Sequence, residues 1–110
     1  MPHIPLAQLA TCRSGDKGNH ANLGVVARSA AAYDLLCREL TAAVVQEFFS
    51  SLGASRVERF ELPRVGALNF VLYDCLAGGA SRSLRIDTQG KLLGTAAAQL
   101  LIKAPTSFSV

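Results

Sequence analysis

Between positions 13 and 22 the chain gathers Arg13, Ser14, Asp16, Lys17, Asn19, His20 and Asn22, interleaved with Gly15 and Gly18 and followed by Gly24. From Arg13 to His20 no residue is apolar. These residue types can do recognisable chemistry. Glycine tolerates φ > 0, so successive backbone N–H groups can converge on an anion. Lys17 and Arg13 can supply positive charge, and an Arg fork suits carboxylate or phosphate. Ser14 and Asn19 can orient a ligand by hydrogen bonds. His20 titrates near neutrality when unperturbed and can move a proton. Asp16 can hold Lys17 or His20 in place. The residues read as a candidate site for a small anionic ligand are therefore Arg13, Ser14, Asp16, Lys17, Asn19, His20 and Asn22.

The spacing excludes two phosphate-binding motifs. A Walker A loop needs Gly-Lys-Ser/Thr opening a helix, whereas Lys17 is followed by Gly18 and then by a strand-like run. Gly15, Gly18 and Gly24 do not fit Gly-x-Gly-x-x-Gly either. A plainer reading stands beside the binding one: Asp16, Asn19 and Asn22 satisfy turn backbone groups while Lys17 points to water. Arg82 joins the candidate set if the turn around Gly78-Gly79 faces the first loop. Asn69, between Leu68 and Phe70, needs a hydrogen-bond partner in so apolar a setting. Cys12, Cys37 and Cys75 show no Cys-x-x-Cys spacing and read as small buried hydrophobes in a reducing compartment. Cys12 stands out only because it borders the polar run. No metal site and no cofactor are expected.

The elements around this run follow from apolar periodicity. His3 to Cys12 predicts a strand, Arg13–His20 a long polar loop, and Ala21 to Arg28 a second strand. In that strand Leu23, Val25 and Ala27 alternate against Asn22, Gly24 and Val26. Ser29 to Leu40 predicts a helix. Thr41 is placed to cap another, whose stripe is Val44, Val45, Phe48, Phe49 and Leu52, ending at Gly53. Arg56 to Leu62 predicts a strand stopped by Pro63. Leu68, Leu72, Cys75 and Leu76 place a buried helix over Gly66–Ala77, and Ser81 to Asp87 predicts a fourth strand. A final amphipathic helix runs from Leu92 and gives way to a strand near Ile102, and the tail from Thr106 is expected to fray. Two strand–helix–strand crossovers, both right-handed, put the helices on one face of a four-stranded sheet. The expected fold is a two-layer α+β sandwich of ferredoxin-like shape. Its second sheet face is bare, which argues for self-association.

Composition narrows the function classes. The chain has 110 residues, 50% of them hydrophobic and 17% charged, which suits one globular domain and not a disordered segment. Its net charge is +3, and 8 of the 11 basic residues are Arg scattered among acids, as in Arg38-Glu39 and Glu58-Arg59. No basic face with interleaved aromatics marks a nucleic-acid binder. No apolar run reaches membrane-spanning length, and the start lacks the pattern of a signal peptide. A cytoplasmic protein is expected.

The run Arg13-Ser14-Gly15-Asp16-Lys17-Gly18-Asn19-His20-Ala21-Asn22-Leu23-Gly24-Val25 resembles the opening of the small C-terminal domain of the AtuA family, proteins of acyclic terpene utilisation. Glu61-Leu62-Pro63, Ala67-Leu68-Asn69-Phe70-Val71-Leu72, and Leu76-Ala77-Gly78-Gly79 followed by Ser83-Leu84-Arg85-Ile86-Asp87 resemble the same domain. The resemblance extends to about Leu93 and implies a ferredoxin-like fold. The family often carries Asp where this chain has His20. It pairs the small domain with a large N-terminal one, so a stand-alone copy of the small domain is the expectation here, and it carries over no catalytic residue.

Two functional expectations follow. One is an accessory or small subunit working with a larger AtuA-like partner in the catabolism of branched or acyl-CoA-type acids. The other is a homo-oligomeric module that binds a small anion or is purely structural. A self-sufficient enzyme using Asp16, Lys17 and His20 ranks below both, since a core this small leaves little wall to exclude water.

Overall fold

The computed structural model describes residues 3–17, 20–50, 54–73, 92–105 and 108, with 16, 17, 92, 93 and 95 described in their backbone alone. Its elements are β1 (His3–Pro5), α1 (Leu6–Leu9), β2 (Ala10–Lys17), β3 (His20–Ala27), α2 (Ala30–Glu39), α3 (Ala42–Phe48), β4 (Arg56–Leu62), a 3-10 turn (Pro63–Val65), β5 (Ala67–Tyr73), α4 (Leu92–Ala97) and β6 (Leu101–Lys103). Four strands form one antiparallel sheet in the order β2-β3-β5-β4, and β1 pairs with β6 in a separate two-stranded ribbon. Since β3 and β4 both run antiparallel to β5, they are parallel to each other, and α2 and α3 form the crossover between them. The architecture is the expected two-layer α+β sandwich of ferredoxin-like form.

Strand alternation decides what the sheet presents. Ala21, Leu23 and Val25 of β3, with Leu68, Phe70 and Leu72 of β5, are buried in one cluster with Leu35, Leu36 and Leu40 of the α2 region, Val45 of α3 and Ala97 of α4. The opposite face carries Val26, Phe60 and Leu62, each more than 40% exposed. The described helices thus cover one face, and among the described residues no helix covers the other.

Local chemistry sets several element bounds. Ser29 caps α2 by accepting from the Ala32 N–H at 3.1 Å, and Thr41 caps α3 by accepting from the Val44 N–H at 3.2 Å, as its position predicts. The far end of α2 is held by Arg59, whose guanidinium donates to the carbonyls of Cys37 and Leu40 at 2.8 and 3.3 Å. A cation suits that end of the helix dipole. Gly66 closes the turn after β4 in the left-handed region, at φ +63°, and its carbonyl accepts from the Ala27 N–H.

Four expectations are corrected. The run Ala67–Tyr73 is the strand β5, not a helix: Leu68 and Leu72 fit either period, but Leu68, Phe70 and Leu72 also alternate, and two neighbouring strands supply the ladder. The polar loop is also shorter than expected. β2 continues through Arg13, Ser14, Gly15, Asp16 and Lys17, and Lys17 pairs with His20, so only residues 18 and 19 lie between the strands. The single opening strand breaks after Pro5 into the helical turn α1, whose first N–H groups donate to the carbonyls of Leu100 and Ala98. Finally, the expected stripe of α3 is split: Val45 and Phe49 are buried, whereas Val44 and Phe48 are exposed, and the helix ends at Phe48. The helix from Leu92 ends at Ala97 and the strand at Ile102 is present. Gly53, Cys75, the Gly78-Gly79 turn and the strand expected at Ser81–Asp87 lie outside the described residues.

Candidate functional site

Because β2 is a strand, its polar residues part company. Arg13 and Gly15 share the open face of the sheet, and Cys12 and Ser14 face the helices. Ser14 is turned toward α4, where its Oγ accepts from the Gly94 N–H at 2.9 Å. Gly94 makes this approach possible: a Cβ there would sit 3.3 Å from the Arg13 Cα and the Cys12 carbonyl oxygen. Ser14 therefore helps dock α4 on β2. Arg13 is exposed on the open face, opposite Gly24. Asp16 and Lys17 pair with Ala21 and His20 at the end of the hairpin. Asn19 and Arg82 lie outside the described residues.

The ladder register orders the open face into four rows across β2, β3, β5 and β4. The first is Thr11, Val26, Ala67 and Leu62; the second is Arg13, Gly24, Asn69 and Phe60. The third is Gly15, Asn22, Val71 and Glu58, and the fourth holds His20 and the Tyr73–Arg56 pair. Asn22 Nδ2 donates to Asn69 Oδ1 at 2.7 Å, diagonally between the second and third rows. Gly15 leaves room for that amide, since a Cβ at Gly15 would lie 3.4 Å from Asn22 Oδ1. At the end of the face the His20 ring meets the Tyr73 ring edge-on, with centroids 4.9 Å apart. The Tyr73 hydroxyl donates to Glu58 Oε1. The Arg56 guanidinium lies 4.3 Å above the Tyr73 ring and 3.7 Å from the Glu58 carboxylate.

Sequence reasoning singled out Arg13, His20, Asn22 and Asn69 of this face but missed Arg56, Glu58 and Tyr73. The signal was available: once Ala67–Tyr73 is read as a strand, Asn69, Val71 and Tyr73 alternate onto one face, and Arg56, Glu58 and Phe60 do so on β4. Cys12 faces the helix layer, and burial pushes its thiol up to about 11 against a smaller opposing pull from Arg28. A thiol so raised is a poor nucleophile, in line with a packing role. Among the described residues no three His, Cys, Asp or Glu side chains form a metal-binding group, and no helix is long and apolar enough to cross a membrane.

The arrangement suits recognition across a surface. Exposed Arg13 and a half-buried amide pair lie beside the side-chain-free Gly24, with apolar Phe60, Val26 and Leu62 alongside. A family model for the AtuA ferredoxin-like domain matches residues 4–103. No curated protein and no solved structure matches the chain.

Proposed function

We propose a function from one premise: the chain belongs to the AtuA ferredoxin-like domain family, as the match over residues 4–103 shows. It acts as an accessory or small subunit that works by association, joining a larger AtuA-like partner in the catabolism of branched or acyl-CoA-type acids. The observation that carries this reading is the parting of the polar residues. Strand alternation sends Ser14 to the helix layer and Arg13 and Asn22 to an open sheet face, so the described members of the set do not converge as a catalytic centre requires. Surfaces for association are present instead. Besides the open face, α3 and β6 border a groove of about 270 Å³ where Val44, Phe48 and Leu101 are exposed. That groove is the natural seat for the larger partner.

The test is reconstitution. The tagged chain is purified from its host, co-eluting proteins are identified by mass spectrometry, and the recovered AtuA-like protein is mixed with the purified small chain. Co-migration of the two, with turnover of an acyl-CoA-type substrate that depends on the small chain, supports the reading. Separate migration with unchanged turnover contradicts it.

A second reading, binding of a small anion, is favoured by Arg13, an exposed cation with no ion-pair partner among the described residues, beside the side-chain-free Gly24. Thermal shift against carboxylates, phosphates and CoA esters checks it. Stabilisation lost in Arg13→Ala supports it, and a flat response to all of them excludes it.

A further inference from the structure

We infer that the open sheet face is the interface of a two-fold homodimer, in which β2 of one copy lies over β4 of the other. The argument rests on self-complementarity. A two-fold axis parallel to the strands, passing between β3 and β5, exchanges the outer strands while keeping the rows in register. Arg13 of one copy then stands over Phe60 of the other and reaches Glu58 in the adjacent row. Each contact occurs twice, so the cation at one edge meets the carboxylate at the other in both halves. Glu58 is 43% exposed in its side chain, which leaves the carboxylate within reach of a second cation.

Shape follows the same symmetry. Phe60 is 43% exposed and projects from one outer strand. Its two-fold position on the facing copy is Arg13, next to Gly24, which has no side chain to block the approach of the ring. Val26 and Leu62 face Ala67 and Thr11 of the other copy, an apolar strip against small side chains. Near the axis the Asn22–Asn69 pair has used one donor and one acceptor on each other. Two amides so joined still offer N–H donors and carbonyl acceptors. The axis brings Asn69 of one copy beside Asn22 of the other, where donor meets acceptor in both directions. The pair is thereby satisfied on burial, which an apolar partner would not achieve.

Size sets the strength. Four strands about 4.8 Å apart and seven residues about 3.4 Å each give a projected face of roughly 450 Å². That places the contact among small, reversible interfaces. The dimer is therefore expected to form in the micromolar range and to dissociate on dilution.

Sedimentation across protein concentrations from about 1 to about 500 μM tests the proposal. The wild-type mass rises toward twice the chain mass as concentration increases. Phe60→Asp stays monomeric throughout. Arg13→Glu and Glu58→Arg each raise the dissociation constant about tenfold or more, the scale of a lost charged contact. The double variant Arg13→Glu/Glu58→Arg recovers part of the affinity, because the reversed charges meet again across the axis. Far-UV circular dichroism confirms that each variant is folded. A wild-type chain that stays monomeric at every concentration overturns the proposal, as does a dimer indifferent to Phe60→Asp. If the wild-type chain is monomeric and Phe60→Asp abolishes capture of the AtuA-like protein, the face belongs to that partner. Loss of the homodimer with partner capture intact separates this inference from the proposed function.

Discussion

Asn22 and Asn69, 47 residues apart in the chain, join their side-chain amides at 2.7 Å across β3 and β5, on the sheet face that none of the described helices covers. An amide pair in that position organises what the face can bind: it holds the centre polar while Phe60, Val26 and Leu62 keep the margin apolar. Replacing Asn69 with Ala leaves Asn22 Nδ2 without its acceptor in a half-buried setting. The expected cost is about 1 kcal/mol in denaturant unfolding, with the fold retained. Asn69→Asp is expected to keep the acceptor and most of the stability.

Arg59 ties β4 to α2 through two carbonyls at the helix end and also donates to Glu61 at 2.6 Å. Its side chain is only 21% exposed, so the helix-end contacts are poorly replaced by water. Arg59→Ala is expected to lower stability by about 2 kcal/mol, whereas Arg64→Ala, on an exposed residue of the 3-10 turn, stays within about 0.5 kcal/mol of wild type. Urea unfolding of both variants checks the contrast.

Much of the layout could be read from the residues, and the exceptions have physical causes. β4 was legible because Pro63 stops it, and β3 because Leu23, Val25 and Ala27 alternate with Asn22, Gly24 and Val26. The cap at Thr41 followed from its place before an apolar stripe. β5 was misread because Leu68 and Leu72 satisfy helical and strand spacing alike, and the ladder that decides between them comes from residues distant in the chain. β2 was hidden because Ser14, Gly15 and Asp16 have low strand propensity, so pairing with β3 overrides local preference. The candidate site inherited both errors. With the polar run taken as a loop, Ser14 and Arg13 shared a cradle. With Asn69 on a helix, its partner Asn22 was out of reach.

Gly94 packs against the β2 backbone, and Ser14 accepts from its N–H. Gly94→Ala gains helix propensity of at most about 1 kcal/mol. The added Cβ meets backbone atoms at 3.3 Å, which cannot swing aside as a flexible side chain can. The clash is expected to win, for a net loss of about 1 kcal/mol in thermal or urea unfolding. Ser14→Ala removes the acceptor and is expected to cost about 1 kcal/mol as well. The two losses should be less than additive, since both loosen the same contact.

The thiol of Cys12, raised from 9.0 to about 11, makes alkaline stability depend on this residue. Between those values the unfolded chain releases the thiol proton while the folded chain keeps it. The folded state therefore binds more protons, and stability falls as pH rises through that window. Below pH 9 the effect is absent. Cys12→Val should flatten this part of the profile relative to wild type, measured by urea midpoint at a series of pH values.

The claim that the open sheet face joins two copies has a direct chemical test. Arg13 and Phe60 lie on the outer strands β2 and β4, three strand spacings apart at about 4.8 Å each. Stacked sheet faces stand about 10 Å apart, so the two-fold arrangement brings position 13 of one copy about that far from position 60 of the other, beyond a disulfide but within reach of a short bis-maleimide. The double variant Arg13→Cys/Phe60→Cys, treated with a bis-maleimide of about 10 Å reach at dimer-forming concentration and run on a denaturing gel, should give a covalent dimer. Val44→Cys/Leu101→Cys, placed on the other apolar surface, should not. A double variant Arg13→Cys/Phe60→Cys that remains monomeric on that gel contradicts the arrangement.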